Sequence, residues 1–195
     1  RLSRLGSGSA CRSVPAGFNL WEGDSDEESF ARQVAPRGHW DLVDVIAVVA
    51  YRHKAVSSHE GHALAVTSPL HEARLAAVPG WLGTVLEGIR DRDLAAMGPS
   101  IEADALAMHG VMMTSVPSLL YWMPGTVAVL QAVRSWRREG LEVWFTLDAG
   151  PNVHCLCPPA DAEEVRDRLG NLEGVRDVLV SGAGDGVRPV DYHLF

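Results

Sequence analysis

The chain has 195 residues, 47% hydrophobic and 22% charged, with 17 Lys and Arg against 25 Asp and Glu and a formal net charge of −8. That composition fits a globular protein of one large or two small domains, and the acidic balance argues against a nucleic-acid partner, which needs clustered Lys and Arg. No apolar run approaches the roughly 18–20 residues of a membrane span. The opening RLSRLGSGSA lacks the apolar core of a secretory signal, and three cysteines, two of them as Cys155-x-Cys157, suggest no disulfide framework. The expected compartment is reducing and cytoplasmic.

The chain opens on Arg1 and reaches a Gly-rich loop within five residues. Such a loop ordinarily follows a structured element, so the expectation is an N-terminally truncated piece of a longer protein. Gly6 and Gly8 permit positive φ, and Ser9 to Ser13 can open a helix. Phe18 to Trp21 and Phe30 to Val34 read as short strands around the solvated acidic turn GDSDEES. Val43 to Tyr51 is a strand whose near-continuous apolar pattern implies burial on both faces. His59 to Ser68 is a short helix stopped before Pro69. Pro79 and Pro99 are each placed at the first position of a helix, with Trp81, Leu82, Val85, Leu86 and Ile89 on one face of the first and Ile101, Ala105, Met108 and Met112 in phase on the second. Thr126 to Arg138 is amphipathic through Val127, Leu130, Val133 and Trp136, and Gly140 ends it. Leu141 to Leu147 is a strand leading into the tight turn Asp148-Ala-Gly-Pro-Asn; Val153 to Cys157 is the strand leaving it. A helix over Ala160 to Leu169 and a strand over Val175 to Ser181 follow, then the turn GAGDG. Strand-rich, then helix-rich, then βαβ-like segments indicate an α+β protein, with a boundary near Lys54 to Val56.

Three constellations carry chemistry. In GSGSACRS, Gly6 to Ser13, successive backbone N–H groups and serine hydroxyls can form an anion site, and Arg12 adds a planar fork suited to carboxylate or phosphate. A Gly/Ser string is equally a linker or a turn. In FTLDAGPN, a strand delivers Asp148 into a stiff Gly-Pro turn, where a carboxylate can orient or deprotonate a hydroxyl; local sequence alone favours a turn cap. In SSHEGH, Ser58 is a natural N-cap, and His59 and His62 lie one turn apart. A metal reading lacks further ligands, HEGH is not the HExxH zinc pattern, and a histidine at a helix start can instead meet an anion. Cys11 reads as a structural thiol, Met108, Met112 and Met113 as core filling, His109 as a satisfied core histidine, Trp122 and Trp136 as core or interface, and Arg90 to Asp93 as a solvated helix end.

These pieces occur in an order that resembles the mevalonate diphosphate decarboxylase family of the GHMP kinase superfamily, over nearly all of the chain. The most specific matches are GSGSACRS with Gly17, Phe18 and Trp21, then ARQVAP (Ala31 to Pro36), then DAGPN. The resemblance implies the remainder of a GHMP N-terminal (ribosomal S5 domain 2-like) domain over 1–55, followed by a GHMP C-terminal α/β-sandwich domain over 56–195. It implies that ATP, with Mg²⁺, phosphorylates the 3-hydroxyl of a 5-(di)phosphorylated mevalonate, after which the 3-phosphate leaves as the carboxylate is lost as carbon dioxide, giving isopentenyl (di)phosphate. By the same resemblance Arg12 holds the substrate carboxylate. Ser7, Gly8, Ser9, Ala10 and Cys11 line the anion loop, Ser58 and His59 face substrate phosphate, and Asp148 aligns or deprotonates the 3-hydroxyl from the same cleft as Arg12. No protein-built metal site is implied, and a homodimer is the assembly usual among relatives.

There are departures. The family's upstream Lys-Tyr-Trp-Gly-Lys-like motif is absent, His59 stands where relatives place Thr or Arg, and Gly61-His62 replaces Gly-Met. Val111 to Thr126 is more similar to archaeal and Chloroflexi-type phosphomevalonate decarboxylases, whereas DAGPN is what the diphosphate enzymes carry. Mevalonate 5-diphosphate is the expected substrate. The alternatives are the monophosphate, a GHMP kinase that phosphorylates without decarboxylating, and a catalytically incomplete GHMP kinase-like binding domain.

Overall fold

A computed structural model describes residues 3, 8–23, 25, 27–51 and 58–189, with the backbone alone for 8, 9 and 58–60. The described parts of Arg1–Asp41 and Gly182–Phe195 form one compact unit and Leu42–Ser181 a second, larger one.

In the smaller unit, Gly8–Ser13 is a 3-10 helix, followed by strands β1 (Phe18–Glu22) and β2 (Phe30–Ala35). The strands pair antiparallel, with Leu20 opposite Arg32 and Trp21 opposite Ala31, and the register shifts between Phe18 and Asn19. Gly17 turns the chain into β1 at φ +70°, and a Cβ there would lie 2.5 Å from the Ala35 carbonyl oxygen, so glycine is required. Asn19 Nδ2 donates to the carbonyls of Arg12 (3.1 Å), Pro15 (3.2 Å) and Gly17 (3.1 Å), tying the 3-10 helix to the strand. The GAGDG segment is more than a turn: Gly17 N–H donates to the Gly184 carbonyl (3.0 Å), Val187 N–H to that of Val14 (3.1 Å), and Arg37 pairs with Asp185 at 3.0 Å.

The larger unit is built on a four-stranded sheet of order β4-β5-β3-β6, from β3 (Val43–Val48), β4 (Trp144–Thr146), β5 (Val153–Cys157) and β6 (Asp177–Gly182). β5 runs antiparallel to both β3 and β4; Val45 faces Cys155, and Phe145 faces Cys155 from the other side. The period-2 pattern sends Val45, Ala47, Phe145, Val153, Cys155 and Cys157 into the core, each fully buried. Helices α4 (Pro124–Arg138) and α5 (Pro159–Gly170) cover that face through Val129, Val133, Trp136, Val165 and Leu169. Each fully buried aliphatic or aromatic side chain there contributes roughly 1.5–3 kcal/mol. Strand β3 lies before the boundary expected at residue 55, but it pairs with β5, so the compact units divide after Asp41 instead.

The remaining helices are α1 (Ser58–Ala65), α2 (His71–Asp91) and α3 (Leu94–Thr114). Helices α2 and α3 form an antiparallel hairpin. Arg74 pairs with Asp104 at 2.6 Å, a Cβ on Gly88 would meet Met97, and Ser68, just before α2, bonds Thr114 at 2.7 Å. Arg92, at φ 58°, reverses the chain, and Asp93 caps α3 by accepting from Ala96 N–H at 2.9 Å. Pro79 and Pro99 are inside α2 and α3 rather than at their starts. Interior proline costs about 3 kcal/mol locally, and the packing of the hairpin outweighs that cost. In α4 the buried stripe runs through Val129, Leu130, Val133 and Trp136, while Val127 points outward, 39% exposed. β4 is shorter than the apolar run LEVWFTL implies. Leu141 N–H bonds back to the Trp136 carbonyl (3.1 Å) and Glu142 N–H to Asp161 (2.8 Å), so the first residues of that run close α4 instead of extending the strand.

Candidate active site

The turn after β4 carries the clearest site geometry. Asp148 is exposed, whereas Leu147 and Gly150 on either side of it are buried. Within the turn, Gly150 N–H donates to the Asp148 carbonyl at 2.7 Å. His109 on α3 lies 3.1 Å through Nε2 from that same carbonyl; because a carbonyl only accepts, Nε2 carries the proton. Thr126 on α4 donates to the Pro151 carbonyl at 2.6 Å and accepts from Met123 N–H at 3.1 Å. Asn152 Oδ1 accepts from Val49 N–H (2.9 Å) and Ala50 N–H (3.1 Å) at the end of β3. Three elements thus grip one five-residue turn and fix the backbone from which the carboxylate projects.

A cleft of about 290 Å³ opens beside the turn, lined by His62, His71, Arg74, Met112, Tyr121 and Ala149 among others. Its lining combines apolar side chains, Leu75, Met108, Val111 and Met112, with imidazole, guanidinium and phenol groups, the mix that can hold a small anionic molecule with a hydrocarbon body. Gly61 lets α1 approach closely here, since a Cβ would fall 2.9 Å from the Tyr121 hydroxyl.

On the sheet face opposite the core, His154 Nδ1 meets Asp44 Oδ2 at 2.8 Å, with both side chains about three-quarters buried. The hydrogen bond to Asp44 raises the His154 pKa above its usual value, against the opposing effect of burial and with further help from the Asp44 and Asp148 charges. Burial raises the Cys155 thiol well above the ordinary range and pushes Cys157 up to about 12, so neither supplies a thiolate near neutral pH. Among the described residues no three His, Cys, Asp or Glu side chains are grouped to hold a metal ion.

In the smaller unit, Gly8, Ala10, Cys11 and Arg12 lie on the 3-10 helix; Cys11 is buried and Arg12 exposed. Ser7 lies outside the described residues, as do the side chains of Ser9, Ser58 and His59. Arg12 belongs to the smaller unit and Asp148 to the larger.

Residues 44–179 match a family model described as the mevalonate 5-diphosphate decarboxylase C-terminal domain. The chain belongs to the mevalonate 5-diphosphate decarboxylase family. It is 33% identical over 177 residues to the diphosphomevalonate decarboxylase of Ganoderma lucidum, covering 85% of this chain and 44% of that protein. It is 29% identical over 180 residues to the phosphomevalonate decarboxylase of Haloferax volcanii, covering 91% and 54%. A solved structure of MDDEF in complex with MVAPP, AMPPCP and magnesium superposes with a TM-score of 0.85 at 37% identity, covering 95% of this chain and 58% of that one. The chain spans about half the length of the curated relatives it matches.

Membership in the mevalonate 5-diphosphate decarboxylase family agrees with the motif order read from the sequence and with the α+β architecture. The sequence singles out Asp148 as a candidate but carries little signal for the groups that hold its turn. His109 is the buried, satisfied histidine that sequence expects, 1% exposed; its partner is 39 positions away and has no local signature. Thr126 and Asn152 do carry faint ones: a hydroxyl two residues into a Pro-started helix, and an Asn closing a Gly-Pro turn.

Proposed function

We propose that the protein containing this chain decarboxylates mevalonate 5-diphosphate to isopentenyl diphosphate at the expense of ATP. The observation that carries the reading is the clamped turn that presents Asp148 from β4 in a member of this decarboxylase family. The Asp148 carboxylate aligns the substrate's tertiary hydroxyl and accepts its proton as the oxygen attacks the γ-phosphorus, the bond from that phosphorus to the β,γ-bridging oxygen breaks and ADP departs. Phosphate then leaves from that carbon with its bonding electrons, and the pair freed by the departing carboxylate forms the alkene and releases carbon dioxide. Arg12 grips the carboxylate beforehand as a planar two-point donor. The 3-10 helix of Gly8, Ser9, Ala10, Cys11 and Arg12, preceded by Ser7, lines the anion loop, and Ser58 and His59 meet the substrate's phosphate. Mg²⁺ bound to the ATP phosphates would neutralise charge on the transferring group. The smaller unit corresponds to the remainder of the GHMP N-terminal domain. The protein works in the cytoplasm as a homodimer.

The test is carbon dioxide release by the natural protein with ATP, Mg²⁺ and either mevalonate 5-diphosphate or the 5-monophosphate. A higher kcat/KM on the diphosphate is expected. Asp148→Asn should lower kcat by roughly 10²–10⁴-fold, the contribution of a positioned general base. Undiminished release from Asp148→Asn or Arg12→Leu refutes the residue roles, and phosphate transfer without carbon dioxide assigns a kinase instead.

A further inference from the structure

Resting on the reading of Asp148 as the hydroxyl-aligning group, we infer that His109 is a positioning residue for that carboxylate, acting through the Asp148 main-chain carbonyl rather than on substrate. His109 is 1% exposed in the interior of the larger unit, where an aliphatic side chain would fill space without a polar group to satisfy. The imidazole is oriented by two rings from the segment after α3: Trp122, with centroids 5.3 Å apart, and Tyr121, edge-on at 6.1 Å. That wall turns Nε2–H onto the Asp148 carbonyl at 3.1 Å. The other two clamps act further along the turn, Thr126 on Pro151 and Asn152 on the end of β3. Among the described residues, His109 is the side chain that bonds to Asp148 from outside the turn. Its hydrogen bond fixes the peptide unit that follows the Asp148 Cα, and with it the direction in which the carboxylate leaves the backbone.

The chemical consequence is selective. A group that positions the reacting carboxylate without touching substrate governs the chemical step, and a displacement of about 1 Å at such a centre costs on the order of 10²-fold. Substrate affinity, set by anion contacts elsewhere, is untouched.

The experiment compares His109→Gln with His109→Asn in the natural protein. Both replace the ring with a smaller amide and both leave the same apolar walls. The Gln amide reaches the position of Nε2 and restores the donor; the Asn amide falls short. The expected result is a kcat for His109→Gln within about threefold of the natural protein, and for His109→Asn a fall of about tenfold or more. KM should stay within about twofold in both, and the two melting temperatures should agree closely. Equal kcat in the two variants, or a KM that rises as kcat falls, overturns the inference. Asp148→Asn is measured alongside. If it retains full turnover, the assignment of Asp148 fails; if it is inactive while the Gln and Asn variants are equal, the role of His109 alone fails.

Discussion

Glu102→Ala should destabilise the larger unit by about 3 kcal/mol, far beyond the loss of an ordinary ion pair. The Glu102 side chain is 8% exposed and accepts from Arg137 Nη1 (2.6 Å), Arg137 Nη2 (3.2 Å) and Phe145 N–H (3.3 Å). Arg137 is itself 21% exposed, stacks 3.9 Å above the Trp144 ring and donates to the Val143 carbonyl at 2.9 Å. Deleting the carboxylate strands a mostly buried guanidinium and the Phe145 amide, a loss of about 3–5 kcal/mol for a buried pair. The part of Arg137 still open to water and its Val143 contact place this case at the lower end. At roughly 2–4 °C per kcal/mol for a chain of this size, the melting temperature falls by about 6–12 °C. Urea unfolding followed by tryptophan fluorescence measures the free energy directly. The double variant Glu102→Met/Arg137→Met should recover most of the loss, because apolar residues of similar volume replace a buried pair at little cost. A loss below about 1 kcal/mol for Glu102→Ala, the range of exposed pairs, refutes the reasoning.

His154 gives a pH dependence of definite sign. Its pKa is raised by the Asp44 hydrogen bond, so the stability it contributes is fully present below the unfolded value of about 6.5 and is lost as pH rises through the higher folded value. The stability gap between the natural protein and Asp44→Asn is therefore expected to be wide at pH 5.5 and narrow at pH 9 in urea titrations; a gap of constant size contradicts the pairing. Cys155 and Cys157 should resist iodoacetamide at pH 8 in the folded protein and react once urea exposes them, since burial holds both thiols protonated. Rapid labelling of either in the folded protein contradicts that assignment.

Legibility in the sequence followed the range over which the deciding interaction acts. The strands Phe18–Glu22 and Val153–Cys157 and the helix Pro124–Arg138 are legible because their periodicity and their stop signals are local. The proline positions are not. Pro79 and Pro99 look like helix starts to any local rule, and only the α2–α3 hairpin contacts explain why they sit inside helices. Val127 fails for a related reason: it shares the expected face with Leu130, yet the sheet takes Val129 instead, and the orientation of a helix about its axis is set by what lies beneath it. The return of Gly184 and Asp185 to the smaller unit spans almost the whole chain and leaves no trace in a run of glycines.

The site divides in the same way. DAGPN is legible as a stiff turn because Asp, Gly, Pro and Asn each favour one locally. What turns a capping aspartate into a fixed carboxylate is contributed from positions 25, 39 and 103 residues away, by Thr126, His109 and the amide of Val49. Each of these groups is ordinary in its own segment: a threonine near a helix start, a core histidine, a strand end. The local reading of Asp148 is a side-chain turn cap, whereas the hydrogen bonds that hold the turn run to its main-chain carbonyl. The Asp148 carbonyl is consumed in holding the turn, by Gly150 N–H and His109, while the Asp148 side chain stays exposed.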